Sequence, residues 1–423
     1  MSQFSLKYGD EKLTCQLAQA TLIALPEIAA VDADKVIKCA LKNPMKSDPL
    51  AQIVKPGEQV VIVTSDITRY TASEIYLPIL VDELNRAGVA DNEIEIIIAL
   101  GIHRKQTIEE HKKIIGDLYG RIKVSDHECD NPHALLDIGT TSSGLPVKVN
   151  KSVAEADRLI VTGTVGLHYF AGFGGGRKSL VPGVASRETC MATHFAIFNP
   201  PETGGKHQAA IPGNLDGNPV HKAILEAAQM LKPDFLFNTV LTPDKKITSA
   251  YAGDLNAAHL AACEAARNLY TVEIQSAADL AIVSCGGQPK DINFIQSQKA
   301  LDYGVRALKL GGTIILLAAC PDGFGNATFF EWFQYQDLDE FETALRNKYE
   351  INGQTAHATM EKARRFRVIL ISNFNRDQTE TMGMEKAETL DEALAMAYEK
   401  LPANPQTVVI PDGGTILPVI KSG

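Results

Sequence analysis

The strongest constraint on the fold is a set of short, β-branched apolar runs, each followed by a turn and then a helical pattern. In the first half these are Gln59–Thr64 (QVVIVT), Glu93–Leu100 (EIEIIIAL) and Arg158–Thr162 (RLIVT). In the second half they are Leu280–Ser284 (LAIVS), Gly312–Ala319 (GTIILLAA), Arg367–Ser372 (RVILIS) and Thr407–Ile410 (TVVI). Runs that are apolar on both faces suit strands buried on both sides, which means parallel strands covered by helices. Helical periodicity is predicted for Ser73–Ala87, Thr107–Ile115, Val220–Met230, Leu255–Leu269, Phe294–Leu308, Leu338–Lys348 and Leu390–Leu401. The alternation predicts an α/β fold with right-handed crossovers. At 423 residues the chain exceeds one typical core. Two domains are therefore expected, each a mostly parallel sheet flanked by helices. The expected division is 1–272, an N-terminal cofactor-anchoring α/β domain, and 273–405, a Rossmann-like α/β domain. For the final segment, 406–423, a return to the first domain is one option. Residues 1–55 read as short strands and a helix around Asp34–Leu41, interrupted by Pro44 and Pro49.

Composition narrows the partners. A net charge of −10 argues against a nucleic-acid surface, which needs a clustered basic field. The seven cysteines are scattered and never spaced as CxxC, the pattern of buried thiols in a reducing cytoplasm and not of a disulfide frame or zinc site. No stretch reaches the roughly 18 apolar residues of a membrane span. MSQFSLKYGDEKL lacks the apolar core of a signal peptide. The expectation is a cytoplasmic protein with no nucleic-acid and no membrane partner.

The chemistry-bearing residues gather in a few places. His168–His194 reads HYFAGFGGGRKSLVPGVASRETCMATH. Its Gly-rich tract cannot form a stable helix or strand interior, but it lets backbone amides approach a phosphate. Arg177 and Lys178 follow with positive charge. Ser65-Asp66-Ile67-Thr68-Arg69 follows the first buried strand and Gly101-Ile102-His103 the second. In open parallel sheets, ligands collect beyond the carboxyl ends of the strands, so these groups can converge. Arg69 is a natural fork for a carboxylate. Gln296 and Lys299, three apart on one predicted helix, face the same way. Among the ten histidines there is no HExxH, so a hydrolytic zinc centre is not supported.

The SDITR, GIH and DINFIQSQK (Asp291–Lys299) segments and the HYFAGFGGGRKSLVPG pattern of residues 168–183 resemble the nickel-dependent lactate racemase family of 2-hydroxyacid racemases and epimerases. The resemblance covers nearly the whole chain. It implies two α/β domains with the active site in the cleft between them. It also implies a nickel pincer nucleotide, a pyridinium-3-thioamide-5-thiocarboxylic acid mononucleotide, held covalently at Lys178. His194 would be the protein ligand to nickel, in a planar donor set that suits Ni(II). His103 and His168 would be the paired acid and base. Asp66, Thr68, Gly174, Gly175, Gly176 and Arg177 would surround the cofactor, and Arg69, Gln296 and Lys299 would hold the substrate. C2 would be inverted by hydride transfer to and from the pincer through a 2-keto acid, the cofactor carrying the difficult chemistry. The implied partners are a small 2-hydroxyacid and the proteins that synthesise the cofactor.

Three positions depart from the pattern. Tyr70 stands where many relatives carry proline, and Ile295 where the lactate enzymes carry tyrosine, which leaves the substrate open among 2-hydroxyacids; the slimmer isoleucine gives room for a longer or bulkier acid than lactate. Trp332, the only tryptophan, reads as a core or interface aromatic. Two other readings compete. A nicotinamide-dependent hydroxyacid dehydrogenase would place GxGxxG after the first strand, where SDITR stands. A non-catalytic nickel- or cofactor-binding protein would have no use for both His103 and His168.

Overall fold

In the computed structural model, which describes residues 1–335 and 337–421, the apolar runs form two parallel-dominated sheets flanked by helices. Two units result: Ile28–Phe198 with His207–Leu269, and Met1–Glu27 with Asn199–Lys206 and the chain from Tyr270 onward. The chain opens with the hairpin β1 (Ser2–Tyr8) and β2 (Glu11–Leu17), then the two-residue strand β3 (Thr21–Leu22).

The Ile28–Leu269 unit continues with α1 (Ala33–Lys42), α2 (Leu50–Ile53), β4 (Val60–Ser65), α3 (Ser73–Arg86), β5 (Ile94–Ala99), α4 (Ile108–Ile115) and β6 (Lys123–Asp126). A hairpin of β7 (Leu135–Thr140) and β8 (Pro146–Asn150) leads to α5 (Lys151–Ala154) and β9 (Arg158–Thr164). Then come β10 (Leu167–His168), β11 (Gly172–Phe173), α6 (Arg177–Leu180), α7 (Arg187–Phe195), α8 (Pro219–Met230), β12 (Phe235–Leu241), β13 (Ile247–Gly253) and α9 (Ala257–Tyr270). The sheet runs β13-β12-β9-β4-β5-β6, parallel except for the β12–β13 pair. Alternation along a strand explains why its runs are wholly apolar. Ile62, Ile96 and Ile160 face one core with Tyr76, Leu80 and Leu84 of α3. Val61, Val63, Ile97 and Val161 face the other, with Leu180, Val184 and Ala227.

The second unit contains β14 (Thr271–Ile274), β15 (Ala278–Ser284), α10 (Phe294–Gly304), β16 (Leu308–Leu317), α11 (Ala327–Glu331), α12 (Leu338–Asn347) and α13 (Gly353–Arg365). It ends with β17 (Arg367–Ile371), α14 (Arg376–Thr381), β18 (Glu385–Ala387), α15 (Leu390–Tyr398), β19 (Thr407–Ile410) and β20 (Leu417–Ile420). Its sheet is β18-β17-β16-β15-β19-β3, parallel throughout.

The expected domain limits need two corrections. Residues 1–27 belong with the second unit and not with 28–272: β3 adds to the edge strand β19, and Leu6, Cys15 and Leu17 share a core with Leu280, Ile282, Ile315 and Leu317. The final segment stays in that unit too, with β19 in its sheet and β20 paired to β14. Backbone pairing over hundreds of residues leaves no local periodicity to read. Helix α13 also escaped the pattern, because Gln354, Thr355, Ala356, His357, Ala358 and Thr359 are all buried and no apolar stripe exists. Trp332 is a core residue, 8% exposed, stacked on Phe341 at 5.4 Å and 4°. Among the described residues no helix is long and apolar enough to cross a membrane.

If residues 1–27 complete the second core, Leu6→Ala should cost about 2–5 kcal/mol, as for other buried leucines. Hydrogen exchange should then quicken in β15 and β16 while β4 and β5 keep their protection. Equal loss in both sheets would contradict this division.

Candidate active site

Three parallel strands of the first unit end in polar loops. After β4, Asp66 is 2% exposed and its Oδ1 accepts from the Thr68 amide (2.9 Å) and the Thr68 hydroxyl (2.6 Å). The Arg69 amide closes the turn on the Asp66 carbonyl at 3.0 Å. The loop is pinned to the sheet through the buried Tyr76 hydroxyl, which meets Thr71 Oγ1 and Thr162 Oγ1, each at 3.1 Å. Arg69 itself is exposed, and among the described residues no carboxylate pairs with its guanidinium. It is a cationic fork open to an anion.

After β5, Gly101 turns the chain at φ +55°, its amide bonding Gly183 O at 2.7 Å. His103 Nδ1 then lies 2.5 Å from Asp66 Oδ2. A carboxylate only accepts, so Nδ1 carries the proton and Nε2 presents a lone pair. Burial opposes ionisation of Asp66, but the bonds from His103 and Thr68 and the nearby charge of Arg69 outweigh it and hold its carboxyl below the usual range. Asp66 was expected beside the cofactor. Its oxygens are engaged by Thr68 and His103, an arrangement that orients the His103 ring.

The Gly-rich loop also differs from the expectation of amides cradling a phosphate. The Gly174 amide donates to Gly166 O (2.8 Å) and that of Gly176 to Asn238 Oδ1 (2.8 Å). The glycines serve close packing. A Cβ on Gly176 would lie 2.3 Å from Leu236 Cδ1, and one on Gly175, at φ +112°, 2.8 Å from both His259 Nδ1 and Val165 Cγ2. Arg177, expected to offer its charge to the cofactor, is fully buried beneath the loop, its guanidinium on Gly174 O at 3.1 Å and His221 Nδ1 at 3.1 Å. The amides of Gly174 and Gly176 and the Arg177 guanidinium thus have partners within the protein that hold the loop.

Lys178, His168 and His194 come together around Phe170, a residue with no chemistry of its own to mark it in the sequence. Phe170, 2% exposed, has its ring 4.6 Å from that of His168 and 5.5 Å from that of His194, both edge-on, with Lys178 Nζ 5.7 Å from its centre. Its signal is its place in HYF, within the three residues that link β10 to β11. His168 Nδ1 accepts from the Ala171 amide at 3.3 Å, so Nε2 carries the proton. That Nε2 lies 2.9 Å from Lys178 Nζ, a contact a neutral amine can accept. Burial, with the charges of Arg69 and Arg177, pushes the lysine pKa well below its ordinary value, against a smaller opposing effect of Cys190. His194, on α7, donates Nδ1–H to Cys190 O at 2.8 Å and leaves Nε2 free to ligate. Burial and the Lys178 charge lower its pKa to about 4, so the ring is neutral at pH 7.

In the second unit, Lys299 Nζ donates to Gln296 Oε1 at 2.7 Å, so the two do share a face of α10. Asn293 caps that helix, accepting from the Gln296 amide at 3.1 Å.

Two outcomes follow. Asp66→Asn keeps the shape but removes the charge and the acceptor that fix the His103 tautomer; turnover should fall by about 10²–10⁴-fold with folding retained, and an unchanged rate would remove Asp66 from the site. The second concerns pH. His194 and His221 are lowered from 6.5 to about 4 on folding, so between these values the unfolded chain takes up protons that the folded chain refuses. Stability should therefore drop progressively as pH falls through that window, by an amount of the order of a few kcal/mol, read as a shift of the urea midpoint.

Family models for the lactate racemase N-terminal domain and C-terminal domain match residues 8–205 and 273–418. The lactate racemase of Thermoanaerobacterium thermosaccharolyticum is 33% identical over 442 residues, covering 99% of this chain and 99% of that protein. That of Lactiplantibacillus plantarum is 36% identical over 387 residues, covering 90% and 89%. The apoprotein structure of the Thermoanaerobacterium enzyme superposes with a TM-score of 0.89 at 32% identity, covering the whole of both chains. A Thermotoga maritima protein shares the fold, with a TM-score of 0.65 at 22% identity over 92% of this chain and 98% of its own. With both family domains matched in order and relatives similar over almost their full length, this chain belongs to the lactate racemase family and is an isomerase.

Proposed function

We propose that the protein racemises or epimerises C2 of a 2-hydroxyacid, using His103 and His168 in opposite proton states. The observation that carries this is the tautomer pair. Asp66 leaves a lone pair on His103 Nε2, while the Ala171 amide leaves a proton on His168 Nε2. One ring can take a hydroxyl proton while the other gives one back, and the roles exchange for the opposite enantiomer. Arg69 would anchor the substrate carboxylate with its unpaired guanidinium. Gln296 and Lys299, on one face of α10, are proposed as further substrate contacts.

The residues fit the nickel pincer nucleotide. Lys178 needs a neutral amine to be acylated, and its Nζ sits where it accepts from His168 Nε2–H. His194 needs a neutral ring with a free nitrogen, and its Nδ1 is held by Cys190 O. Among the described residues no three His, Cys, Asp or Glu side chains gather to hold a metal, which suits a centre with one protein ligand and the remaining donors on the cofactor. When bound, the group would supply an acceptor and donor for the C2 hydrogen with its electron pair, so that C2 passes through a planar 2-keto acid. The protein's part is to clamp the carboxylate, move the hydroxyl proton and hold the lysine and histidine anchors. Thr68 and Gly175 remain proposed as cofactor neighbours. The cofactor would come from the host's biosynthetic proteins, and the seven free cysteines suit a reducing cytoplasm.

A substrate bulkier than lactate is part of the proposal. Ile295 replaces a phenol by a shorter apolar side chain, and the Tyr70 hydroxyl donates to Glu74 Oε1 at 2.6 Å.

After expression beside the cofactor's biosynthetic proteins, intact mass should show an adduct that Lys178→Ala removes, with about one nickel per chain. His103→Ala should keep adduct and nickel and lose racemisation; loss of nickel instead would make His103 a ligand. Across a panel of 2-hydroxyacids, turnover should favour larger side chains, and a maximum on lactate would overturn the substrate reading.

A further inference from the structure

Beneath the Gly-rich loop lies a polar cluster that the proposed chemistry does not use: Arg177, His221 and His259. Arg177 has no accessible surface, and among the described residues no carboxylate pairs with it. A buried guanidinium without a counter-ion is rare and needs its donors satisfied by neutral acceptors. Those acceptors are Phe173 O (3.4 Å), Gly174 O (3.1 Å) and His221 Nδ1, which receives Nη2 at 3.1 Å and Nε at 3.3 Å. Because a guanidinium only donates, His221 Nδ1 must be a lone pair and the ring neutral. The ring of His259, fully buried, stacks on that of His221 with centroids 6.4 Å apart and forms the floor against Gly175.

What this cluster holds is α6, one turn of four residues, too short to set its own orientation. Its rotation depends on anchors to the sheet and to α8. Gly176 N–H is held by Asn238, and Ser179 Oγ donates to Thr162 O at 2.8 Å. The first turn of α8 grips the loop twice: Asn218 Nδ2 donates to Phe170 O at 2.9 Å, and His221 receives Arg177. Arg177, Ser179 and Leu180 are buried in the protein, and Lys178 alone on this turn keeps some accessible surface, beside His168.

We propose that His221 is a positioning residue for Lys178: by holding the buried Arg177 guanidinium through Nδ1, it fixes the rotation of α6 and so aims the lysine amine at the His168 face. The role rests on the proposed function only in calling Lys178 the cofactor anchor. The aim of the amine is a property of the chain alone.

The test is trace acetylation of the cofactor-free protein at one neutral pH, with the Lys178 rate read by mass spectrometry against surface lysines. His221→Phe keeps a ring but removes the acceptor, and His221→Asn restores an acceptor near the Nδ1 position. With folding checked by thermal melting, His221→Phe should change the relative Lys178 rate by about tenfold, and His221→Asn should return it to within about twofold of the natural chain. Adduct formation in the cofactor-producing host should follow the same order. Should His221→Phe prevent folding, His221→Gln, which carries its acceptor one bond further, should fold and show the altered rate. A natural Lys178 rate in folded His221→Phe or His221→Gln, or failure of His221→Asn to restore it, would overturn the proposal. If the natural chain takes up no adduct in the host, the cofactor reading falls, while the acetylation order still decides the role of His221.

Discussion

The site depends on a close approach of backbone to backbone. Gly176 lies on β9 and β12 so tightly that a Cβ on it would meet Leu236, while one on Gly163 of β9 would lie 3.0 Å from the Gly176 amide. Only glycine allows that contact, and the contact seats the loop that carries Lys178. From it follow the burial of Arg177, the placing of Lys178 beside His168, and the assembly of His168 and His194 around Phe170. A Gly-rich tract next to bases reads at first as a phosphate cradle. Here its glycines buy proximity between elements of the protein itself.

Electrostatics then sort the proton states. Asp66 is the buried carboxylate of the site, and its hydrogen bonds to Thr68 and His103 keep it charged despite burial. Burial, aided by the charges of Arg69 and Arg177, presses Lys178 toward its neutral form, and burial first of all does the same for His194. Neutral forms are the ones that acylate and ligate. The same surroundings therefore suit the lysine and the histidine to the roles proposed for them, as cofactor anchor and metal ligand. Each ring nitrogen is assigned by its partner, a carboxylate for His103 and backbone groups for His168 and His194.

In the second unit two polar side chains share a helix face. Gln296 and Lys299 were three apart in a helical pattern, and the side-chain bond between them makes that face real. The strands of both sheets were readable because burial on two sides demands unbroken β-branched runs. Strand β3, with two residues, and α13, polar yet buried, carried no such signal.

The sequence by itself determined the α/β class, the strands, most long helices and the polar segments at the strand ends, because periodicity and burial are local properties of the chain. It also carried the family, through motifs that span both units. Tertiary structure decided which unit owns residues 1–27 and the final segment, since strand pairing joins residues hundreds of positions apart. It decided, too, that Asp66 turns to His103, that Arg177 turns inward to His221, and that Phe170 joins three functional side chains. A residue type announces what a group can do. Only packing fixes which partner its donors and acceptors find, and that partner sets the proton on which the chemistry rests.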